Sequence, residues 1–324
     1  MPSGLFNCKI VLEEHSPLKP WIQWIIRIPL ILLGLAASLV LVAAVSFLIL
    51  NHTNGKIVSS GVKRSYLLYV PRSYDPATPT PLVISIHGFA EWPAHQAEMT
   101  RWNELAEKTG FIVVYPSGTS FPKRWRTQVE SGSDPMPDVI FISDLIDKME
   151  GDYNIDPRRI YANGLSNGGG MSVLLSCVLS DRIAAIGTVS GAFSFAWSEC
   201  PSSRPLPTIV FHGTADPIVP YLGGPSHDPA NPMPAIPGWV ESLARRNGCT
   251  GMPVGIPPSG AVSGVHYGNC TQDSDVVFYT IAGGGHSWPG GEPLPEFIVG
   301  STSQDIDATR EMWEFFQQHP LPGE

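Results

Sequence analysis

The stretch ANGLSNGGGM, residues 162–171, places four glycines around Ser166, directly after the strand-like run RRIYA. Glycine is unfavourable in the interior of helices and strands, so the cluster predicts a backbone geometry that other residues adopt poorly. The pattern G-x-S-x-G at a strand-to-helix junction is typical of a sharp turn that exposes a serine side chain. A flexible loop that happens to contain serine is the alternative, and the surrounding sequence decides between the two.

Short apolar runs alternate with segments of helical periodicity along most of the chain. Runs rich in β-branched and aromatic residues predict strands at SYLLYV (65–70), LVISI (82–86), FIVVY (111–115), RIYA (159–162), AAIGTVS (184–190), TIVFH (208–212) and VVFYTI (276–281). Buried strands separated by helices predict a mostly parallel, doubly wound sheet with helices on both faces. In such a sheet, ligands bind beyond the carboxyl ends of the strands.

Three reactive residues follow the ends of predicted strands. Ser166 follows RIYA, Asp216 follows TIVFH and His286 follows VVFYTI. This chain order is typical of the nucleophile, acid and base of the α/β-hydrolase fold, in which the histidine takes the serine proton and the carboxylate orients the histidine. An ordinary turn aspartate and an incidental loop histidine are the alternatives. His87 and His212 also end strands, but each precedes a glycine and we expect them to shape turns.

Backbone donors for an oxyanion are predicted at two places. The N–H of Asn167 follows the serine in the sharp turn, and the N–H of Phe89 follows the His-Gly pair after LVISI. Three tryptophans are candidates for lining a substrate pocket, with packing as an equal alternative: Trp288, Trp125 and Trp92.

The composition excludes several functional classes. The chain has 324 residues, 43% of them hydrophobic, and a net charge of -9. No basic run or basic-aromatic interleaving is present, so we expect no nucleic-acid partner. The chemistry of a serine, a histidine and an aspartate requires neither a metal nor an organic cofactor, and we expect none.

The N-terminal segment differs from the rest of the chain. Residues 28–50 are uncharged and apolar, and their number matches the roughly 20 residues of a membrane-spanning helix. Trp21 and Trp24 precede the segment, where interfacial aromatic residues are expected. A cleaved signal peptide is the alternative, but its apolar region usually has about 7–15 residues. We therefore expect a cytoplasmic tail (1–27), a signal anchor in the lipid bilayer (28–50) and a catalytic domain (51–324).

Five cysteines bear on the cellular compartment. Cys249 and Cys270 lie in a stretch with few signs of secondary structure, which a disulfide would close. Cys177 lies in an apolar predicted helix and is expected to be a buried core residue. Cys200 has no evident partner, and Cys8 precedes the apolar segment. A disulfide would require an oxidising compartment and would place the catalytic domain outside the cytoplasm.

Four motifs together resemble the polyhydroxybutyrate depolymerase and feruloyl or acetylxylan esterase group of α/β-hydrolases: GLSNGGGM, HGTADPIVPY, GWVESLARRNGC and GGGHSWPGG. The resemblance extends over essentially the whole chain beyond residue 60, and GGGHSWPGG is its most specific motif. It implies that Ser166, Asp216 and His286 form a catalytic triad and that Cys249 pairs with Cys270. The implied activity is hydrolysis of polyhydroxyalkanoate oligomers, feruloyl or acetyl esters, or short aryl esters through an acyl-enzyme.

Two other functions remain open from the sequence. One is a serine peptidase of the same fold, and the other is an inactive membrane-tethered binding module, because a fold does not by itself imply activity. Phe89 stands where the family often has a cysteine or another small or polar residue. The proline-rich loop at 221–237 follows Asp216 and is long enough to border a pocket, so specificity is expected there.

Overall fold

A computed structural model describes residues 20–127, 137–191, 200, 204–225 and 232–323. The chain forms two compact units, Met1–Ile49 and Leu50–Glu324. Helix α1, Pro20–Leu50, belongs to the first unit and begins earlier than the predicted apolar segment. Among the described residues, α1 is the one helix long and apolar enough to cross a membrane, over Arg27–Ile49. A signal sequence near the N-terminus can also form a helix that is long and apolar enough to meet this criterion, so both interpretations of this helix remain.

The second unit is built on a single sheet of ten described strands. The strands are β1 (Gly55–Ser59), β2 (Val62–Tyr69), β3 (Thr80–Ile86), β4 (Ile112–Pro116), β5 (Ile155–Leu165), β6 (Ala185–Val189), β7 (Thr208–Gly213), β8 (Val254–Ser259), β9 (Val262–Tyr267) and β10 (Val276–Ile281). Their order across the sheet is β1-β2-β4-β3-β5-β6-β7-β10-β9-β8. The six strands from β4 to β10 in this order are parallel, and the pairs at both edges are antiparallel.

Helices cover both faces of the sheet. They are α2 (Pro93–Thr100), α3 (Trp102–Thr109), α4 (Pro137–Asp152), α5 (Asn167–Val178), α6 (Ile236–Arg246), α7 (Glu296–Val299) and α8 (Ala308–Gln318). One apolar core packs α4, α5 and α6 against the sheet, and a second packs α2, α3 and α8. In β3, Leu82, Ile84 and Ile86 enter the first core and Val83 enters the second. This alternation arises because successive strand side chains point to opposite faces, and it confirms the predicted doubly wound α/β-hydrolase fold.

All seven predicted strands lie in the sheet, but β1, β8 and β9 were not predicted as full strands. The hairpin of β8 and β9 lies in the stretch that we expected to have little secondary structure, so that expectation was wrong. Most residues of β8 are exposed, and Pro257 and Pro258 interrupt the run. A strand at the edge of a sheet tolerates proline and needs no apolar alternation, so its sequence gives little signal.

Two disulfides link described residues of the domain. Cys249 pairs with Cys270, as predicted, and the bond encloses the hairpin of β8 and β9. Cys177 pairs with Cys200, so the expectation of an unpaired core cysteine at 177 and the lack of a partner for 200 are corrected. Cys177 is buried as predicted, and burial in an apolar helix hides the signal of pairing. Cys8 lies outside the described residues.

Candidate active site

Ser166 occupies the turn between β5 and α5. Its backbone has φ 55° and ψ -118°, a conformation that strains a residue with a side chain. A Cβ atom placed on Gly168 would lie 2.1 Å from the carbonyl oxygen of Ile86, and one on Gly164 would lie 2.4 Å from Gly168. The N–H of Ser166 donates to the carbonyl of Val189 at 2.9 Å. The glycines therefore allow the start of α5 to approach β3 and β5 closely while the neighbouring strand holds the serine.

Asp216 and His286 form a buried hydrogen-bonded pair in the loops after β7 and β10, which are neighbours in the sheet. His286 Nδ1 lies 2.8 Å from Asp216 Oδ2. The other carboxylate oxygen accepts the N–H groups of Ile218 at 2.9 Å and Val219 at 2.8 Å. The side chains of His286 and Asp216 are 6% and 0% exposed. Both oxygens of the carboxylate are thus fixed, which orients the imidazole.

The pKa of Asp216 is lowered from its ordinary value by its partners. Burial is the largest single effect and raises the pKa, but the hydrogen bond and charge of His286, the Val219 N–H and the charge of His212 together outweigh it. The carboxylate is therefore ionised at neutral pH and can only accept a hydrogen bond from the Nδ1–H of His286. This assigns the Nδ1–H tautomer to the neutral ring and leaves the Nε2 lone pair available as a base.

Glycines bring His286 back to the edge of the sheet. A Cβ atom on Gly213 would lie 2.1 Å from the carbonyl oxygen of Gly284, and one on Gly285 would lie 2.2 Å from that of Val299. The N–H of His286 donates to Val299 at 2.6 Å. The loop after β10 therefore packs against the end of β7 with no space for side chains at these glycines.

The three predicted reactive residues all follow the carboxyl ends of parallel strands in one half of the sheet. Asp216 and His286 are in direct contact, and Ser166 follows β5, which is separated from β7 by β6 alone. The site therefore occupies the edge at which ligands bind in sheets of this kind.

The turn after β3 lies against the serine turn. A Cβ atom on Gly88 would lie 3.5 Å from the carbonyl oxygen of Leu165, and one on Gly168 would lie 2.6 Å from that of His87. His87 Nδ1 donates to the Gly88 carbonyl at 2.7 Å, and its Nε2 accepts the N–H of Gly118 at 2.9 Å. Burial lowers the pKa of His87 to about 4. His87 is thus a neutral residue that shapes the turn, as predicted.

Within this turn the N–H groups have different partners. The N–H of Gly88 donates to the Glu91 carboxylate at 2.8 Å, and the N–H of Ala90 donates to the Lys123 carbonyl at 2.8 Å. Among the described residues, no hydrogen bond uses the N–H of Phe89. That group is consequently the one donor of the turn that remains available to a ligand.

Asn167 and Trp125 are joined by their polar groups. Asn167 Oδ1 accepts the backbone N–H of Trp125 at 2.7 Å, and its Nδ2 donates to the Trp125 carbonyl at 3.1 Å. The indole N–H of Trp125 donates to the His87 carbonyl at 2.9 Å. Asn167 is the first residue of α5, where a backbone N–H has no acceptor within the helix. The Asn167 side chain is therefore occupied, while its backbone N–H has no acceptor among the described hydrogen bonds.

The predicted pocket role of the tryptophans is largely corrected. Trp125 is 3% exposed and Trp288 is 1% exposed. Trp288 lies in the core with α8 and donates its indole N–H to Thr309 Oγ1 at 2.9 Å, so it offers no face to a substrate. Trp92 is half-buried directly before α2. Packing and hydrogen bonding, the stated alternative, account for Trp125 and Trp288.

A buried ion pair holds the loop after β4. Arg64 Nη2 lies 2.9 Å from Asp138 Oδ1 and donates to the Ser117 carbonyl at 3.3 Å. Asp138 Oδ2 accepts the N–H of Arg126 at 2.9 Å. Trp125 directly precedes Arg126 in this loop, so the ion pair links α4 and β2 to the segment beside the serine turn.

Large apolar side chains are exposed in the loops, and in the short helix α7, that follow the carboxyl ends of the parallel strands. They are Phe89, Phe121, Ile218, Leu222 and Phe297. The loop at 221–237 contributes Leu222, but its residues 226–231 lie outside the described residues. Within the described ranges, no group of three or more His, Cys, Asp or Glu side chains is arranged to hold a metal ion.

Sequence reasoning missed Glu91 as a member of this site. Its carboxylate contacts a backbone N–H of the turn rather than another side chain. A contact of this kind leaves no motif in the sequence, because any residue supplies the backbone donor.

Comparisons with known proteins identify relatives of this chain. The family described as "Esterase PHB depolymerase" matches residues 64–219. A bifunctional acetylxylan esterase/xylanase of Neocallimastix patriciarum is 34% identical over 270 residues, which are 81% of this chain and 34% of that protein. A probable feruloyl esterase C of Aspergillus clavatus is 30% identical over 271 residues, which are 81% of this chain and 86% of that protein.

A solved structure supports the fold. The acetyl xylan esterase from Aspergillus awamori superposes with a TM-score of 0.55 at 16% identity, over 81% of this chain and 98% of that chain. The chain spans about a third of the first relative, 34% of its length, but most of the second, 86%. With the motif order, the fold and these relatives in agreement, the chain belongs to the polyhydroxybutyrate depolymerase and feruloyl or acetylxylan esterase family of α/β-hydrolases.

Proposed function

We propose that the protein is a serine esterase that hydrolyses carboxylic esters through an acyl-enzyme. The observation that carries the proposal is the buried Asp216–His286 hydrogen bond of 2.8 Å at the same sheet edge as Ser166, whose backbone is strained. Strain of this kind is maintained where the surrounding structure has a use for it. A serine hydroxyl needs an adjacent base to act as a nucleophile at neutral pH, and His286 with its free Nε2 supplies one.

In the proposed reaction, Ser166 Oγ attacks the ester carbonyl while His286 Nε2 takes the hydroxyl proton. The tetrahedral intermediate collapses, the C–O bond to the alcohol breaks, and the imidazolium returns the proton to the leaving oxygen. Water then attacks the acyl-serine with the same histidine as base, which releases the acid and restores Ser166. Asp216 remains ionised throughout and stabilises the imidazolium.

The backbone N–H groups of Asn167 and Phe89 are the proposed donors to the oxyanion. Both belong to turns that lie against each other, and neither has an acceptor among the described hydrogen bonds. Donors fixed in this way are worth most when charge develops on the carbonyl oxygen, and loss of one typically costs about 10²–10³ in kcat.

The exposed apolar side chains at this edge favour ester substrates that have an apolar or aromatic surface. Phe89 and Phe121 in loops and Phe297 in helix α7 are exposed, and each follows one of the parallel strands. Feruloyl esters, short aryl esters and hydroxyalkanoate oligomers present such a surface, and acetyl esters are the smaller alternative suggested by the relatives. We therefore propose these four ester classes as the substrates.

Turnover of an ester panel by the full chain in detergent tests the proposal. The panel contains aryl acetates, a feruloyl ester, acetylated xylan, a hydroxybutyrate oligomer and a peptide anilide, and the variant is Ser166→Ala. We expect ester hydrolysis that is lost in Ser166→Ala but retained in Ser259→Ala, a control on the edge strand β8. Turnover of the anilide alone would favour a peptidase, and no turnover of any substrate would favour a binding module.

We further propose that α1 remains attached as a signal anchor and that the catalytic domain is extracytoplasmic. The length of the apolar span over Arg27–Ile49 and the two disulfides support this location. Sequencing the N-terminus of the mature protein tests the anchor, since a signal peptide would be absent from it. Alkylation of thiols before and after reduction tests the compartment.

A further inference from the structure

Glu91 is a largely buried carboxyl group beside the proposed oxyanion hole that the reaction described above does not use. Its Oε2 accepts the N–H of Gly88 at 2.8 Å. Its Oε1 lies 3.9 Å from Nδ1 of His95, one helical turn further along the chain, and the Glu91 side chain is 16% exposed. The carboxylate therefore lies between the turn after β3 and the first turn of α2.

Three hydrogen bonds fix the peptide group between Gly88 and Phe89, whose N–H has no acceptor among the described residues, and its two neighbours. The carbonyl of this peptide group, which belongs to Gly88, accepts the Nδ1–H of His87 at 2.7 Å. The peptide before it is held by Glu91, and the one after it is held by the bond from Ala90 to the Lys123 carbonyl at 2.8 Å. Of these three contacts, the one from Glu91 is made by a side-chain carboxyl group.

We propose that Glu91 is a positioning residue that holds the oxyanion turn through the N–H of Gly88. The proposal rests on the proposed esterase function. It assigns no proton transfer to Glu91, which acts on the substrate through the turn.

The pKa of Glu91 is raised above its ordinary value, because burial outweighs the charges of His95 and His286 and the hydrogen bond from Gly88, which lower it. The carboxyl group keeps an oxygen that accepts the Gly88 N–H in either protonation state. The contact with the turn therefore does not depend on the charge of Glu91.

The test compares Glu91→Gln and Glu91→Leu with the wild type in the full chain. Glu91→Leu removes the acceptor of the Gly88 N–H, so we expect kcat for an aryl ester to fall by about ten-fold or more with little change in KM, because an oxyanion donor acts mainly in the transition state. Glu91→Gln keeps an acceptor and should lose less.

Counting active enzyme by fluorophosphonate labelling separates positioning from folding. A residue that only stabilised the fold would lower the labelled fraction and leave kcat per labelled enzyme unchanged. Loss of the acceptor for the Gly88 N–H should instead lower kcat per labelled enzyme.

Labelling of Ser166 by a fluorophosphonate separates the two proposals. If the wild type turns over esters and labels at Ser166, but Glu91→Leu keeps the wild-type kcat, the proposal for Glu91 is overturned alone. An inactive and unlabelled wild type would overturn the esterase function, and the proposal for Glu91 with it. If Glu91→Leu does not fold, Glu91→Gln carries the test: it keeps an acceptor for the Gly88 N–H, so its kcat should stay within about ten-fold of wild type, and a larger loss of kcat would overturn the proposal.

Discussion

Asp216→Asn replaces one carboxylate oxygen by an amide nitrogen at the base of the proposed triad. The amide oxygen can still accept the N–H groups of Ile218 and Val219, at the present distances of 2.9 and 2.8 Å. The amide nitrogen must then face His286 Nδ1, which now lies 2.8 Å from a carboxylate oxygen. Because two donors cannot share one hydrogen bond, the ring is driven to the Nε2–H tautomer, in which it has no lone pair toward the serine.

The expected loss in kcat is about 10⁴, as for the same change in the serine protease triad, which corresponds to roughly 5.5 kcal/mol in the activation free energy. The effect on the fold should be smaller. A buried hydrogen bond to a charged group contributes about 1.5–3 kcal/mol, and two of the three bonds remain. Because the pKa of Asp216 is lowered in the folded state, its ionisation stabilises the fold at pH values above the pKa of an unfolded aspartate. This stabilisation is lost as pH falls through the lower pKa of the folded state. Asp216→Asn removes that pH dependence.

The assay is steady-state hydrolysis of an aryl ester at neutral pH, together with urea unfolding. Asp275→Asn is the matched control, because Asp275 Oδ2 pairs with His266 Nε2 at 2.7 Å outside the proposed site. We expect Asp275→Asn to keep the wild-type kcat. A folded Asp216→Asn protein with kcat within about ten-fold of wild type would refute the reasoning, because a wrong tautomer cannot serve as the base.

Three further predictions concern the packing around the site. Gly168→Ala puts a Cβ atom 2.1 Å from the Ile86 carbonyl oxygen, so it should lower the free energy of unfolding by about 1–3 kcal/mol and reduce kcat. The control Gly151→Ala puts its Cβ atom in open space, so it should change neither the free energy of unfolding nor kcat. The wild type should lose stability as pH falls from the ordinary pKa of histidine toward about 4, because buried His87 stays neutral while the same histidine in the unfolded chain takes up a proton. The loss in the free energy of unfolding is about 3 kcal/mol and should disappear in His87→Gln. Replacing Cys177 and Cys200 by serine should lower the free energy of unfolding by about 3 kcal/mol with unchanged kcat, and an unchanged melting temperature would contradict this.

The central strands were predictable because burial on both faces leaves a continuous apolar run. The run VVFYTI at 276–281 coincides with β10, and TIVFH at 208–212 lies within β7. The edge hairpin was not predictable, because β8 is mostly exposed and its prolines read as loop. Apolar patterns report burial, and an edge strand has little of it.

Residues that act through side chains at strand ends were predictable from their order, whereas residues that act through backbone contacts were not. Ser166, Asp216 and His286 each carry a motif. Glu91 contacts a backbone N–H, so only the folded chain shows its role. Trp288 illustrates the opposite error: its position directly after a reactive loop suggests a pocket, but its indole lies in the core.

The most direct test of the proposed mechanism is the site of covalent labelling by a fluorophosphonate. The full chain in detergent is treated with the probe while hydrolysis of an aryl ester is followed, and the adduct is located by peptide mass spectrometry. We expect one adduct, on Ser166, formed in proportion to the loss of activity and absent from Ser166→Ala. An adduct on a different serine, or full activity in a protein labelled at Ser166, would contradict the assignment of Ser166 as the nucleophile.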